Sequence, residues 1–159
     1  MKRLTRWALV LIGCAALAWH GAPAQAQNKD KVYRKVSTAQ LEGILGGMSI
    51  KFTKTQPKGL ADDWDYDFDR NGFKVRFTLS NGKLLWLSAF FPKTTLEKIN
   101  KWNVDAKFSR AVLDRIQDRE YAIVESQLDA GGGVTEEMIR QFIRRFDEEV
   151  SKFDQYLKV

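Results

Sequence analysis

The segment DFDRNG, residues 67–72, is the most specific ligand-binding pattern in the chain. It reproduces the first six positions of a calcium loop, D-x-D-x-N-G, whose full form also needs an apolar residue at position eight and a bidentate Glu at position twelve. Here those two positions hold Lys74 and Thr78. Asn-Gly between alternating apolar and polar residues also predicts an ordinary hairpin turn. We expect the hairpin, and a calcium-responsive domain using Asp67, Asp69 and Asn71 is the alternative.

Residues for catalysis are scarce. The single Cys and the single His are Cys14 and His20, and both lie in the first 26 residues. The rest of the chain has neither an imidazole nor a thiolate. Its serines therefore lack a general base, and the usual zinc sites are excluded there. The acids from Asp63 to Asp69 alternate with aromatic residues that need the buried side of a strand, so we expect solvated carboxylates. We therefore expect a non-enzymatic protein with no catalytic residues, no cofactor and no metal.

Two further patterns resemble anion sites but fit simpler structures. Gly131-Gly132-Gly133 precedes a helix, yet it lacks the Lys-Ser/Thr of a phosphate-binding loop. Arg140, Arg144 and Arg145 lie on the polar side of that helix. We expect a flexible strand-to-helix turn and a solvated helix face.

Residues 1–26 have the organisation of a secretory signal peptide. Basic residues at the start precede an apolar core over 7–19 and an A-x-A cleavage site, Ala24-Gln25-Ala26. We expect cleavage near Ala26 and a periplasmic or secreted protein that is not inserted in the membrane after cleavage. The segment Leu11-Ile12-Gly13-Cys14 resembles a lipobox, so a lipid anchor at Cys14 is the alternative.

The charge balance argues against a nucleic-acid partner. The whole chain has a net charge of +6, and loss of the three basic residues of the leader leaves +3. An exported protein also seldom meets chromosomal DNA. The remaining chain predicts a flexible N-terminal arm over 27–36 and a single domain over 37–159.

Two Asn-Gly pairs, Asn71-Gly72 and Asn81-Gly82, predict a three-stranded meander over 64–91. A two-residue first loop places Asp67 opposite Arg76, and a two-residue second loop places Phe77 opposite Trp86. One face of the sheet then carries Trp64, Tyr66, Phe68, Phe73, Val75, Phe77, Leu79, Leu84, Trp86 and Phe90. The opposite face carries Asp65, Asp67, Asp69, Lys74, Arg76, Leu85, Leu87, Ala89 and Phe91.

The other elements follow from caps and periodicity. A capping box at Ser37 and Gln40 predicts a helix over 38–45 that ends at Gly46-Gly47, before a strand over 48–54. A second box at Thr94 and Glu97 predicts a helix to about residue 103. Strands over 107–113 and 121–129 precede a long amphipathic helix that begins after Thr135. The order α-β-β-β-β-α-β-β-α predicts an α+β fold, a single antiparallel sheet with helices packed on one face.

The predicted outer face of this sheet carries apolar residues that need a cover. Leu85, Leu87 and Phe91 lie there beside Lys74 and Arg76, and such charge-rimmed apolar clusters mark partner surfaces. We predict that these residues bind another polypeptide or a second copy of the chain. The alternative is that the N-terminal arm or one of the first two helices covers them.

Several short segments carry a family resemblance. They are Leu41-x-x-Ile44-Leu45-Gly46, the paired hairpins, Glu97-Lys98-Ile99-Asn100-x-Trp102-Asn103, Phe108-Ser109-Arg110-Ala111 and Gly132-Gly133-Val134-Thr135-Glu136-Glu137. Together they resemble the YbjN family of bacterial proteins. The resemblance implies a fold like that of type III secretion chaperones, a role as a sensory-transduction regulator, and no catalytic residues. Many members of that family are cytoplasmic, so the leader of this chain departs from the family pattern.

Overall fold

The structure, a computed structural model, describes residues 31–159. Its helices are α1 (Thr38–Gly47), α2 (Leu96–Asp105) and α3 (Glu136–Lys158). Its strands are β1 (Thr53–Thr55), β2 (Asp63–Arg70), β3 (Phe73–Ser80), β4 (Leu84–Pro92), β5 (Arg110–Ile116) and β6 (Arg119–Asp129). They form one antiparallel six-stranded sheet in the order β1-β2-β3-β4-β6-β5. The predicted α+β fold and element order are confirmed.

The core lies between the sheet and the apolar stripe of α3. Phe142 and Phe153 of α3 contact Phe77 and Phe91 of the sheet edge-on, with ring centroids 6.3 and 5.0 Å apart. The side chain of Trp102 in α2 packs on Phe153 at 5.0 Å. We term the face of the sheet that packs against α3 the inner face. In residues 31–159, no helix is both long enough and apolar enough to cross a membrane.

The first hairpin has the predicted register. Asp67 pairs with Arg76 and Tyr66 with Phe77 across the turn at Asn71-Gly72. Both turn residues have positive φ, 52° and 85°, as a type I′ turn requires. Tyr66 and Phe77 are therefore both buried in the core.

The second hairpin is shifted by one residue from the predicted register. Ser80 pairs with Leu84 and Phe77 with Leu87, so Lys83 is an extra loop residue. The Lys83 N–H still donates to Ser80 O at 3.0 Å, but the Lys83 carbonyl accepts the N–H of Ala130 at 2.6 Å. Because that carbonyl is bonded outside the ladder, Lys83 is bulged, and every later side chain of β4 changes face.

The N-terminal segment from Tyr33 to Val36 differs from the predicted flexible arm. Tyr33 and Val134 exchange two backbone hydrogen bonds of 2.7 and 2.8 Å, and Val36 N–H donates to Gly82 O at 2.7 Å. The Val36 side chain is buried in the core. The predicted leader and the first residues of the arm lie outside the described residues.

The bounds of several elements also differ from prediction. The capping box at Ser37 and Gln40 is present, but α1 continues through Gly46-Gly47 and the left-handed residue is Ser49, with φ 59°. The Ile50 N–H donates to Leu45 O at 3.0 Å, and because of this bond β1 begins later in the chain than predicted, at Thr53. The N-cap of α2 is Thr95, one residue later than predicted. The last two strands form a hairpin with a two-residue turn, and β5 begins at Arg110, three residues later than predicted.

Candidate functional site

The sheet face opposite the helices, the outer face, holds only part of the predicted partner surface. Lys74 and Arg76 lie there, opposite Phe90 and Ser88 of β4. Leu85, Leu87 and Phe91 do not, because the bulge at Lys83 turns them to the inner face, where they are 0%, 0% and 3% exposed. Their predicted place on the outer face is therefore wrong, because they are core residues.

A different apolar group occupies the outer face. Phe90 pairs with Ile123 of β6, which pairs with Val112 of β5, and Tyr121 lies beside them with its ring centroid 6.2 Å from that of Phe90. We term these four residues the outer apolar cluster. Phe90, Tyr121 and Val112 are half-buried, and Ile123 is buried between its neighbours. In residues 31–159, no helix lies over them.

A row of polar side chains, four of them charged, crosses the sheet next to this cluster. The row runs through Asp67, Arg76, Ser88, Glu125 and Arg110 on five successive strands other than β1. Arg76 donates to Asp67 from Nε at 2.8 Å and from Nη2 at 3.1 Å, and this bidentate bond raises the pKa of Arg76. Arg110 donates from Nε alone to the buried carboxylate of Glu125.

Acidic side chains outnumber basic ones on the outer face. By strand register, the acidic residues are Asp63, Asp65, Asp67, Asp69, Asp114, Glu125 and Asp129, and the basic residues are Lys74, Arg76, Arg110 and Arg119. Two acids accept from hydroxyls, since Ser80 and Thr78 donate to Asp63 and Asp65 at 2.8 and 2.6 Å, and Asp65 also lies 3.6 Å from Arg76 Nη1. The outer face is thus acidic in a chain whose net charge is +6.

The residues of the calcium alternative do not converge on one point. Asp67 is bonded to Arg76, and Asp69 accepts from the Nζ of Lys74 at 3.0 Å. Within the described chain there is no group of three or more His, Cys, Asp or Glu residues that could hold a metal ion. The two carboxylates instead stabilise the first hairpin.

A depression of about 500 Å³ lies at one margin of the outer apolar cluster. The Phe90 ring and the Arg76 guanidinium, whose centre is 6.0 Å from the ring centroid, form one wall. Residues 51–53, at the start of β1, form another. The outer face can therefore receive an apolar side chain beside a charged one.

Comparison with known proteins identifies the family. A family model named YbjN and described as "Putative bacterial sensory transduction regulator" matches residues 58–158. A crystal structure of YbjN from E. coli, described as a putative transcription regulator, has a TM-score of 0.61 and 18% identity over 77% of this chain and 90% of that chain. That likeness concerns the fold alone. No curated protein matches. Because the family model covers more than half of the chain, this protein belongs to the YbjN family.

Proposed function

We propose that this protein is an exported, non-catalytic regulatory domain that binds a polypeptide with its outer face. The observation that carries the proposal is the outer apolar cluster, which lies across β4, β6 and the edge strand β5 on a sheet face that the described helices leave open. Apolar patches rimmed by charge are typical of protein-binding surfaces. The family description as a regulator supports a role in binding.

The charge of the outer face defines the partner. Lys74 lies opposite Phe90 and is paired with Asp69, whereas the exposed Asp114 lies opposite Tyr121, and the outer face as a whole carries seven acidic and four basic side chains. Complementary charge selects partners and accelerates association. We therefore expect a segment that has apolar and basic side chains, supplied by another protein of the cell envelope.

A photo-crosslinking residue at position 90 tests the binding surface. We expect a discrete adduct whose crosslinked peptide carries basic residues, and we expect Tyr121→Ser to reduce it because Tyr121 packs against Phe90. The same photo-crosslinking residue at Leu96 is the control, since Leu96 is 62% exposed on α2. Equal labelling at both positions, or no adduct at position 90 in folded protein, would contradict the proposal. A self-adduct would assign the face to a dimer instead.

Export is the second part of the proposal and has its own test. The mass of the mature protein distinguishes the routes, because cleavage after Ala26 gives a chain that begins at Gln27. A lipid-modified Cys14 would give an acylated and longer chain. Recovery of the uncleaved protein from the cytoplasm would contradict export while leaving the binding surface to be judged by the crosslinking result.

A further inference from the structure

Strand β6 extends beyond its neighbour β5. Strand β5 begins at Arg110, which pairs with Glu125, whereas β6 continues to Asp129. Residues Ser126 to Asp129 pair with β4 on one side only. On the other side, the Phe108 carbonyl accepts the Ser126 hydroxyl at 2.6 Å, but no described strand pairs with the backbone of this stretch, which we term the β6 edge.

Half of the residues of the β6 edge, Gln127 among them, direct their backbone groups toward the open side. Alternate residues of a strand direct their N–H and C=O to opposite neighbours. Arg119 pairs with Ile116 across the two-residue turn, and Gln127, eight residues on, faces the same way. Ala111 on β5 has the opposite orientation, and its N–H and C=O are bonded to the Asn103 side chain at 2.7 and 2.9 Å. The Asn103 side chain of α2 thus bonds the outward backbone groups of β5 at Ala111. The N–H and C=O of Gln127, in contrast, are available to an added strand.

An apolar groove of about 430 Å³ runs between the β6 edge and α3. Its volume is within the range of about 300–1,000 Å³ that is typical of ligand pockets. Its apolar walls are Phe108, Leu128, Met138, Phe142 and Phe146. Phe108 and Met138 are 57% and 44% exposed, which is unusual for side chains of this size.

The rim of this groove carries two cations without acidic partners. Lys107 and Arg145 line it, and the guanidinium centre of Arg145 lies 5.3 Å from the ring centroid of Phe108. Within residues 31–159, neither has a carboxylate within 4.0 Å. The adjacent Arg144, in contrast, is paired with Glu137 at 3.3 Å. The rim is therefore basic, opposite in charge to the outer face.

We propose that this groove, the β6 groove, binds an extended acidic polypeptide segment. The segment adds to the β6 edge as a short strand, places an apolar side chain against Phe108 and Met138, and pairs a carboxylate with Lys107 or Arg145. Strand addition to an open sheet edge is an established mode of peptide recognition. The site is distinct from the outer face, since it lies on the side of the sheet that faces α3 and selects the opposite charge.

Fluorescence anisotropy with labelled octapeptides tests the proposal on the full chain. An octapeptide of alternating Val and Glu is expected to bind about tenfold more tightly than its Val and Lys counterpart, because only the former complements the rim. The Val and Glu peptide with alternate backbone amides N-methylated should not bind, since it lacks the donors for a strand ladder. Equal binding by the acidic and basic peptides, or binding by none, would overturn the proposal.

Variants distinguish the groove from general charge attraction. Arg145→Glu is expected to weaken binding of the acidic peptide by about tenfold, while the matched control Arg144→Glu changes it by less than about twofold. Gln127→Pro removes the backbone N–H on the open side of β6 together with the Gln side chain, and with unchanged melting it should also abolish binding. Similar losses for Arg144→Glu and Arg145→Glu would contradict the site. A concentration-dependent dimer that Gln127→Pro abolishes would show that a second copy occupies the β6 edge instead.

Discussion

The charge of one residue, Asp147, is set by two opposing effects. Its Oδ2 accepts from Arg70 Nε at 2.9 Å, and its side chain is only 15% exposed. Burial raises the pKa of Asp147 despite the neighbouring guanidinium. A carboxyl whose pKa is raised by folding stabilises the fold when it is protonated, and that contribution is lost as pH rises through the raised pKa. At neutral pH, the ionised Asp147 is thus less favourable than a neutral group in its place.

We therefore predict that Asp147→Asn does not destabilise the protein at pH 7. The amide keeps an oxygen for Arg70 and removes the buried charge, so the free energy of unfolding should equal or exceed that of the wild type by up to about 1 kcal/mol. The difference should shrink toward pH 3, where Asp147 becomes protonated in both states. Urea unfolding at the two pH values measures it. A loss above about 1 kcal/mol at pH 7 would show that the ion pair outweighs burial.

At the scale of the element, the sequence predicts the turn before β4 but not the register of β4. Asn81-Gly82 identifies the turn, and both residues have positive φ, 52° and 67°. The bulge at Lys83 depends on Ala130, which lies 47 positions further along the chain and donates its N–H to the Lys83 carbonyl. Such a tertiary contact is invisible to local patterns. One local signal does indicate the observed register. Ser88 shares a face with Trp86 and Phe90, whereas the other face, with Leu85, Leu87, Ala89 and Phe91, has no polar residue and is therefore the better core face.

Adjacent leucines in β4 test this register. Leu85 is 0% exposed and Leu84 is half-buried on the outer face. We predict that Leu85→Asn lowers the free energy of unfolding by at least about 3 kcal/mol, because it leaves a polar amide in the core. Leu84→Asn should lower it by less than about 1 kcal/mol, as expected for a partly exposed position. Urea denaturation compares the two variants. A larger loss of stability for Leu84→Asn than for Leu85→Asn would instead support the two-residue loop that the sequence predicts.

The turn itself offers a second matched pair. Gly72 and Gly82 both have positive φ, so replacement by Ala costs each turn about 1 kcal/mol. A Cβ at Gly72 meets open space, whereas at Gly82 it would lie 2.8 Å from the Val36 carbonyl oxygen and 2.7 Å from Lys35 Cγ. We predict that Gly82→Ala is more destabilising than Gly72→Ala by about 1–2 kcal/mol, the cost of overpacking. Thermal melting should rank them. Equal melting points would mean that the N-terminal segment moves aside without cost.

At the scale of the whole molecule, the sequence predicts more of the fold than of the site. Caps, Asn-Gly turns and the stripe of α3 are local signals, and they identify the elements and their order. The match over residues 58–158 confirms the family resemblance, and the structure confirms the antiparallel α+β fold. The outer apolar cluster and the β6 groove, in contrast, depend on which strands are neighbours and where each strand ends. Those properties arise from contacts between distant residues, such as Ile123 with Val112 and Phe108 with Arg145.

The N-terminal segment links the two ends of the domain and provides a final prediction. Tyr33 is bonded to Val134 just before α3, and Val36 fills the core and is bonded to Gly82 in the second hairpin. A chain that begins at Gln27 keeps these contacts and should melt at the same temperature as the full chain. A chain that begins at Ser37 loses three backbone hydrogen bonds and a buried valine, so we expect at least about 2 kcal/mol less stability.

The variant Val36→Ala in the chain that begins at Gln27 separates the two contributions. It removes buried methyl groups and leaves the bonds of Tyr33 with Val134 in place, so its melting point should fall between those of the two truncated chains. Calorimetry of the three proteins measures the order. If the chain that begins at Ser37 were as stable as the longer one, the segment would behave as the flexible arm that composition predicts. In that case, the bond of Lys83 with Ala130 would alone be responsible for holding the second hairpin in its shifted register.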